Sequence, residues 1–148
     1  MRDEVDDLVE AWARERTHLD LARRTAFSEH GIESWEFDVL AALRRAGTPY
    51  ELSPGRLLRE TLVTSGTMTN RVDRLAGRGF VERFPDPEDR RGVIVRLTPE
   101  GKSAVDGAFE ALLDAERSLL ADLPERDQAR LADLLRLLLA PFGSPPAG

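Results

Sequence analysis

Between Ser65 and Arg91 the chain gathers side chains that suit a polyanion. Ser65, Thr67, Thr69 and Asn70 supply short hydroxyls and one amide, and Arg71, Arg74, Arg78, Arg83, Arg90 and Arg91 supply cations. Hydroxyls and amides exchange hydrogen bonds with base edges and phosphates, and an arginine fork pairs with phosphate oxygens or a guanine edge. The apolar residues among them tell which face carries this chemistry. Met68, Val72 and Leu75 stand at i, i+4 and i+7, the spacing of a buried helical stripe. That stripe turns Thr67, Thr69, Asn70, Arg71, Asp73, Arg74 and Arg78 outward or to the flanks. Other chemistry is poorly supplied. The chain has no cysteine, which excludes disulfides, thiolate zinc sites and thiol redox sensing. His18 and His30, the two histidines, have no partners at metal-ligand spacing, and neither a nucleophile elbow nor a glycine-rich phosphate loop is present. Catalysis, a bound metal and a cofactor are therefore not expected.

A net charge of −6 over 148 residues looks wrong for a chain that meets nucleic acid, but its distribution matters more than its sum. From Arg56 to Arg96 there are nine arginines against six acids, an excess of three that leaves −9 for the rest. All nine cations are arginine, whose planar fork matches phosphate geometry. With 41% hydrophobic and 32% charged residues the composition is that of a soluble chain with one core. No apolar run reaches the ~18 residues of a membrane span, and the acidic start MRDEVDDLVE is unlike a signal peptide, so a cytoplasmic location is expected.

The elements that must position these residues are legible from caps and periodicity. Asp3 to about Ser28 reads as one long helix striped by Val5, Leu8, Trp12, Leu19 and Ala22, with Gly31 just past its end. Ser34 is placed to cap a second helix that buries Phe37, Val39, Leu40 and Leu43 and stops at Arg44-Arg45-Ala46-Gly47. Thr48–Leu52 reads as an extended connector. Ser53-Pro54 opens a third helix, to about Thr61, burying Leu57, Leu58 and Leu62. Thr64 or Ser65 caps a fourth, ended by Gly79. Two helices joined by a tight turn, the second with a polar outer face, make a helix-turn-helix. Phe80–Phe84 and Val93–Leu97 then read as strands around the turn-rich Pro85–Gly92, a wing. Thr98-Pro99 starts a fifth helix, to about Leu120, and a sixth runs from Glu125 to about Ala140. Its six leucines, Leu131, Leu134, Leu135, Leu137, Leu138 and Leu139, exceed what one face of a small monomer hides. The expectation is a mainly α winged helix-turn-helix fold of six helices with a small β wing. Residues 34–97 would form the lobe, residues 1–30 and 98–142 the dimerising helices, and residues 143–148 a disordered tail.

The order of elements and the letters themselves resemble the MarR family of bacterial winged-helix regulators over nearly the whole chain. The segments that carry the resemblance are EFDVLAALRRAG (Glu36–Gly47), SGTMTNRVDRL (Ser65–Leu75), GFVER (Gly79–Arg83) and DPEDRRGVIVRLTPEG (Asp86–Gly101). The resemblance implies a homodimer made through the first, fifth and sixth helices, acting as a transcriptional regulator on a pseudo-palindromic operator with half-sites about one turn apart. The fourth helix would enter the major groove with Ser65, Thr67, Thr69 and Asn70 near bases or phosphates and with Arg74 and Arg78 on phosphates. Arg90 or Arg91 would reach the adjacent minor groove, braced by Asp73 or Asp89. Repression is the family's usual mode.

Trp12, Asp38, Arg71 and Arg83 further resemble the urate-responsive branch of that family. This implies a small anionic aromatic ligand such as urate, stacked on Trp12, paired with Arg83 and set against Asp38, with Arg71 relaying its presence to the fourth helix. Phenolic acids and tricarboxylates are the alternative ligands. A winged-helix adaptor that binds protein instead of DNA is the alternative function, and the acidic total charge keeps it in view.

Overall fold

The computed structural model describes residues 3–143. Helix α1 (Glu4–Glu29) begins where the Asp3 carboxylate accepts from the Asp6 N–H at 2.8 Å. Glu4, Asp6 and Asp7 in its first turn match the positive end of the helix dipole. It closes at His30, with Gly31 at φ +70°, a conformation that costs a glycine little. Helix α2 (Ser34–Arg45) is capped by Glu33 and not by Ser34. Glu33 and Glu36 cap each other's backbone, with the Glu33 N–H donating to Glu36 Oε1 at 3.0 Å.

Strand β1 (Glu51–Leu52), in the stretch expected to be a connector, pairs antiparallel with β3 (Val93–Leu97), Glu51 opposite Arg96. Helices α3 (Pro54–Thr61) and α4 (Ser65–Gly77) follow, then β2 (Val81–Pro85), which pairs with β3 from Val81↔Leu97 to Pro85↔Val93. The sheet order is β1-β3-β2. Ser53 caps α3 and Thr64, rather than Ser65, caps α4. Helix α5 (Pro99–Leu119) starts at Thr98, whose hydroxyl accepts from the Gly101 N–H at 3.0 Å and donates to the Gly79 carbonyl at 2.6 Å. Helix α6 (Glu125–Leu139) ends in a 3-10 turn, Ala140–Phe142. Of the expected tail, Gly143 closes that turn, and residues 144–148 lie outside the described residues.

One core joins the lobe to α1 and α5. Phe27 stacks on Phe37 with ring centroids 4.3 Å apart, and Leu40, Leu43, Leu57, Met68, Leu75 and Val95 are fully enclosed around them. Met68, Val72 and Leu75 face this core as their spacing predicts. Gly101 lets α5 lie directly on the sheet: a Cβ there would overlap the Phe80 carbonyl oxygen and stand 2.9 Å from Leu97 Cδ1. Leu62, expected inside, is 90% exposed, because it is the left-handed residue that ends α3 (φ 55°) and the turn carries its side chain away from the core. The outer half of α1 and most of α6 are uncovered. Helix α6 has no buried residue, and Leu134, Leu137 and Leu138 lie open.

Candidate nucleic-acid interface and the cleft beside it

The outward face of α4 is built by its inward face. Burying Met68, Val72 and Leu75 leaves Ser65, Thr67, Thr69, Asn70 and Arg74 exposed together, with Arg71 half-buried. Two of the hydroxyls are already oriented. Thr64 Oγ1 donates to Thr67 Oγ1 at 2.9 Å, and Thr69 Oγ1 donates to the Ser65 carbonyl at 3.1 Å. Each hydroxyl oxygen keeps lone pairs for an outside donor. Ser65 and Asn70 stand open beside them.

The wing is braced by backbone. Asp86 Oδ1 accepts from the Glu88 N–H at 2.9 Å and Asp89 Oδ1 accepts from the Arg91 N–H at 3.0 Å. Main-chain bonds Asp86 to Gly92 (3.0 Å) and Gly92 to Asp89 (2.9 Å) close the turn. Gly92 fits because a Cβ would crowd Asp86 Cβ at 3.1 Å. Asp89 thus braces the chain that carries Arg91 and does not hold a guanidinium. Arg90 and Arg91 are exposed, and among the described residues no carboxylate pairs with either. Asp73, the other expected brace, is ion-paired with Arg83 at the wing's base, not with an arginine at its tip.

Arg78 is committed elsewhere than expected. Its guanidinium pairs with Glu36, which is 3% exposed, donates to the Gly31 carbonyl at 2.7 Å and lies over the Phe80 ring at 4.6 Å. It ties α4 to α2, and the Glu36 carboxylate it neutralises is one that burial would otherwise penalise. Arg78 therefore has a packing role between α4 and α2, and Arg74 stands exposed on the same helix without such a partner carboxylate among the described residues.

The four positions expected to share a ligand are only partly brought together. Asp38 and Arg71 are close enough to interact: burial raises the Asp38 carboxyl above its ordinary range, and the charges of Arg23, Arg71 and Arg45 offset this only in part. Trp12 is elsewhere. It lies eleven residues before Arg23, roughly 16 Å along the axis of α1, and is 56% exposed, flanked by Val9, Ala13, Arg16, Thr17 and Asp20 of its own helix. Arg83 lies on a third surface, a cleft of about 150 Å³ with Pro54, Thr69 and Val93 among its walls.

What the sequence reading missed is Trp35. Its ring is flanked by Arg71 at 5.5 Å and Arg74 at 4.9 Å, and its Nε1 donates to Glu33. With Gly66, Thr67 and Asn70 these three line an open cleft of about 400 Å³. The i, i+3 spacing of Arg71 and Arg74 marks one helix face, but no pattern in the sequence places Trp35 under it.

The sequence profile of the MarR family matches residues 30–92. The chain is 33% identical over 150 residues to the HTH-type transcriptional regulator PecS of Dickeya dadantii, covering 89% of this chain and 90% of that one. It is 34% identical over 109 residues to the multiple antibiotic resistance protein MarR of Salmonella typhimurium, covering 73% and 74%. Among solved structures it is similar to a mutant of Escherichia coli MarR complexed with operator DNA, with a TM-score of 0.74, 29% identity, and 92% and 96% of the two chains covered. The chain belongs to the MarR family.

Proposed function

We propose that this MarR-family chain is a homodimeric, ligand-responsive transcriptional repressor. It binds a pseudo-palindromic operator, and a small anionic aromatic molecule such as urate releases it. The reading rests on one observation: the cationic cleft over Trp35 is walled by the residues that form the outward face of α4. A flat monoanion stacked on Trp35 pairs with Arg71 and Arg74 and occupies the space that a DNA backbone would need beside Thr67 and Asn70. Ligand and operator then compete for the same arginines, which is a differential affinity of the kind that release requires. Trp12 and Arg83, on separate surfaces of one protomer, are not needed for this contact.

Gel shifts at matched salt, with the DNA upstream of the chain's own gene, test the reading, since phosphate contacts make affinity steeply dependent on ionic strength. Urate in the high micromolar to millimolar range should free the DNA, while xanthine should not. Release by salicylate or citrate alone would reject urate and keep the cleft. Quenching of Trp35 fluorescence in a Trp12→Phe background reports occupancy of the cleft directly, and an unquenched Trp35 under releasing conditions would reject the cleft as well.

A further inference from the structure

We propose that Leu62 is a base-reading residue whose side chain packs on the 5-methyl group of a thymine in the major groove. This rests on the DNA-binding role of α4. Leu62 carries two unfavourable features that nothing inside the protein offsets. It adopts the left-handed conformation (φ 55°, ψ 40°), which disfavours a residue with a Cβ, and its apolar side chain is 90% exposed. The backbone itself is well placed, with the Leu62 N–H donating to the Leu58 carbonyl at 3.0 Å, so the turn needs this conformation but not this side chain. Glycine or asparagine would serve the turn better.

The neighbours sharpen the contrast. Leu58 and Val63 pack against the core, whereas Leu62 between them does not. It stands two residues before Thr64, the cap of α4, whose first turn carries the exposed Ser65 and Thr67. A leucine has no hydrogen bond to offer, and among the groups on the major-groove edge of the bases the thymine methyl is the apolar one. The hydroxyls of α4 read polar edges, and Leu62 adds a preference that they cannot supply.

The test selects a preferred duplex from a randomised pool with the wild-type protein, then measures its binding by Leu62→Gly and Leu62→Asn. Both variants should melt no lower than wild type and remain in its oligomeric state. Affinity for the selected duplex should fall about tenfold, while affinity for unselected DNA and the salt dependence stay unchanged. Replacing one thymine in each half-site by uracil, which removes only the methyl, should weaken the wild type by a similar factor and leave the variants unaffected. Equal affinity of wild type and variants would overturn the proposal. So would a loss shared with unselected DNA, a uracil substitution that never matters, or a change of oligomeric state, which would mark Leu62 as a protein contact. A wild type that selects no sequence would overturn both this proposal and the regulator reading; a selective wild type matched by its variants would overturn this one alone.

Discussion

The winged-helix lobe and the helical ends of the molecule are finished to different degrees. In the lobe, Leu40, Leu57, Met68, Leu75 and Val95 are fully enclosed, the buried Glu36 is paired, and no buried side-chain polar atom among the described residues lacks a partner. At the ends, Val5, Leu8, Val9 and Trp12 of α1 and the leucines of α6 are open to solvent. Both regions draw on the same residue types. The lobe therefore completes itself within one chain, and the ends present the apolar faces that a second copy would cover.

The comparison breaks or sharpens at defined positions. The largest effect is expected at the ends. Leu134→Asp with Leu138→Asp, one turn apart on α6, should convert the dimer to a monomer in analytical ultracentrifugation and lower operator affinity by about 10²- to 10⁴-fold, because the second half-site no longer binds intramolecularly. The far-ultraviolet dichroism of the lobe should be retained. A dimer that survives both substitutions would place the interface elsewhere.

Next comes the lobe's junction with α5. Gly101→Ala forces a Cβ into the Phe80 carbonyl and should cost about 3 kcal/mol in denaturant unfolding, through overpacking. Arg78→Ala, which strands the Glu36 carboxylate, should cost about 1–3 kcal/mol while leaving affinity for DNA little changed at temperatures where the variant is folded. A variant of full stability that has lost operator affinity would return Arg78 to the DNA.

The smallest effect lies at Asp106, which binds Arg44 of α2 and Lys102 of α5 at 3.0 Å each, linking the lobe to α5. Burial would raise its carboxyl, but these hydrogen bonds outweigh that and hold it below the ordinary value. A folded-state value below the unfolded one means that the link stabilises above the unfolded pKa, about 3.9, and is lost as pH falls through the folded value. Asp106→Asn should cost under about 1 kcal/mol at neutral pH, since the pair is partly exposed, and should flatten the pH dependence of melting in the acid range.

How much of this was legible in the sequence depended on the range of the interaction. Ser53 and Thr98 cap their helices through bonds three residues long, and the Met68, Val72 and Leu75 stripe is local periodicity, so these were readable, while the cap of α4 was narrowed only to Thr64 or Ser65. The Glu33–Glu36 cap was missed because two glutamates lack the usual serine or threonine signature. The pairing of Arg78 with Glu36 was not legible because the two lie 42 residues apart. Pairing of the two-residue β1 with β3, and the seating of Trp35 between Arg71 and Arg74, likewise need tertiary structure. Leu62 followed an apolar pattern that the left-handed turn interrupts. In Trp12 the helical stripe was correct, but a single chain leaves that stripe bare.

The two aspartate-braced turns of the wing have a consequence for the heat and speed of DNA binding. Ordering a free loop costs about 1–2 kcal/mol of entropy per residue, and a wing that folded only on the duplex would incur it at each encounter. With Asp86 and Asp89 holding the backbone of residues 86–92, a wing that met the duplex through Arg90 and Arg91 would present a scaffold already shaped, with only those side chains left to be ordered. Association should then proceed without a slow folding phase, and the heat-capacity change on binding should match rigid surfaces meeting rather than a segment folding.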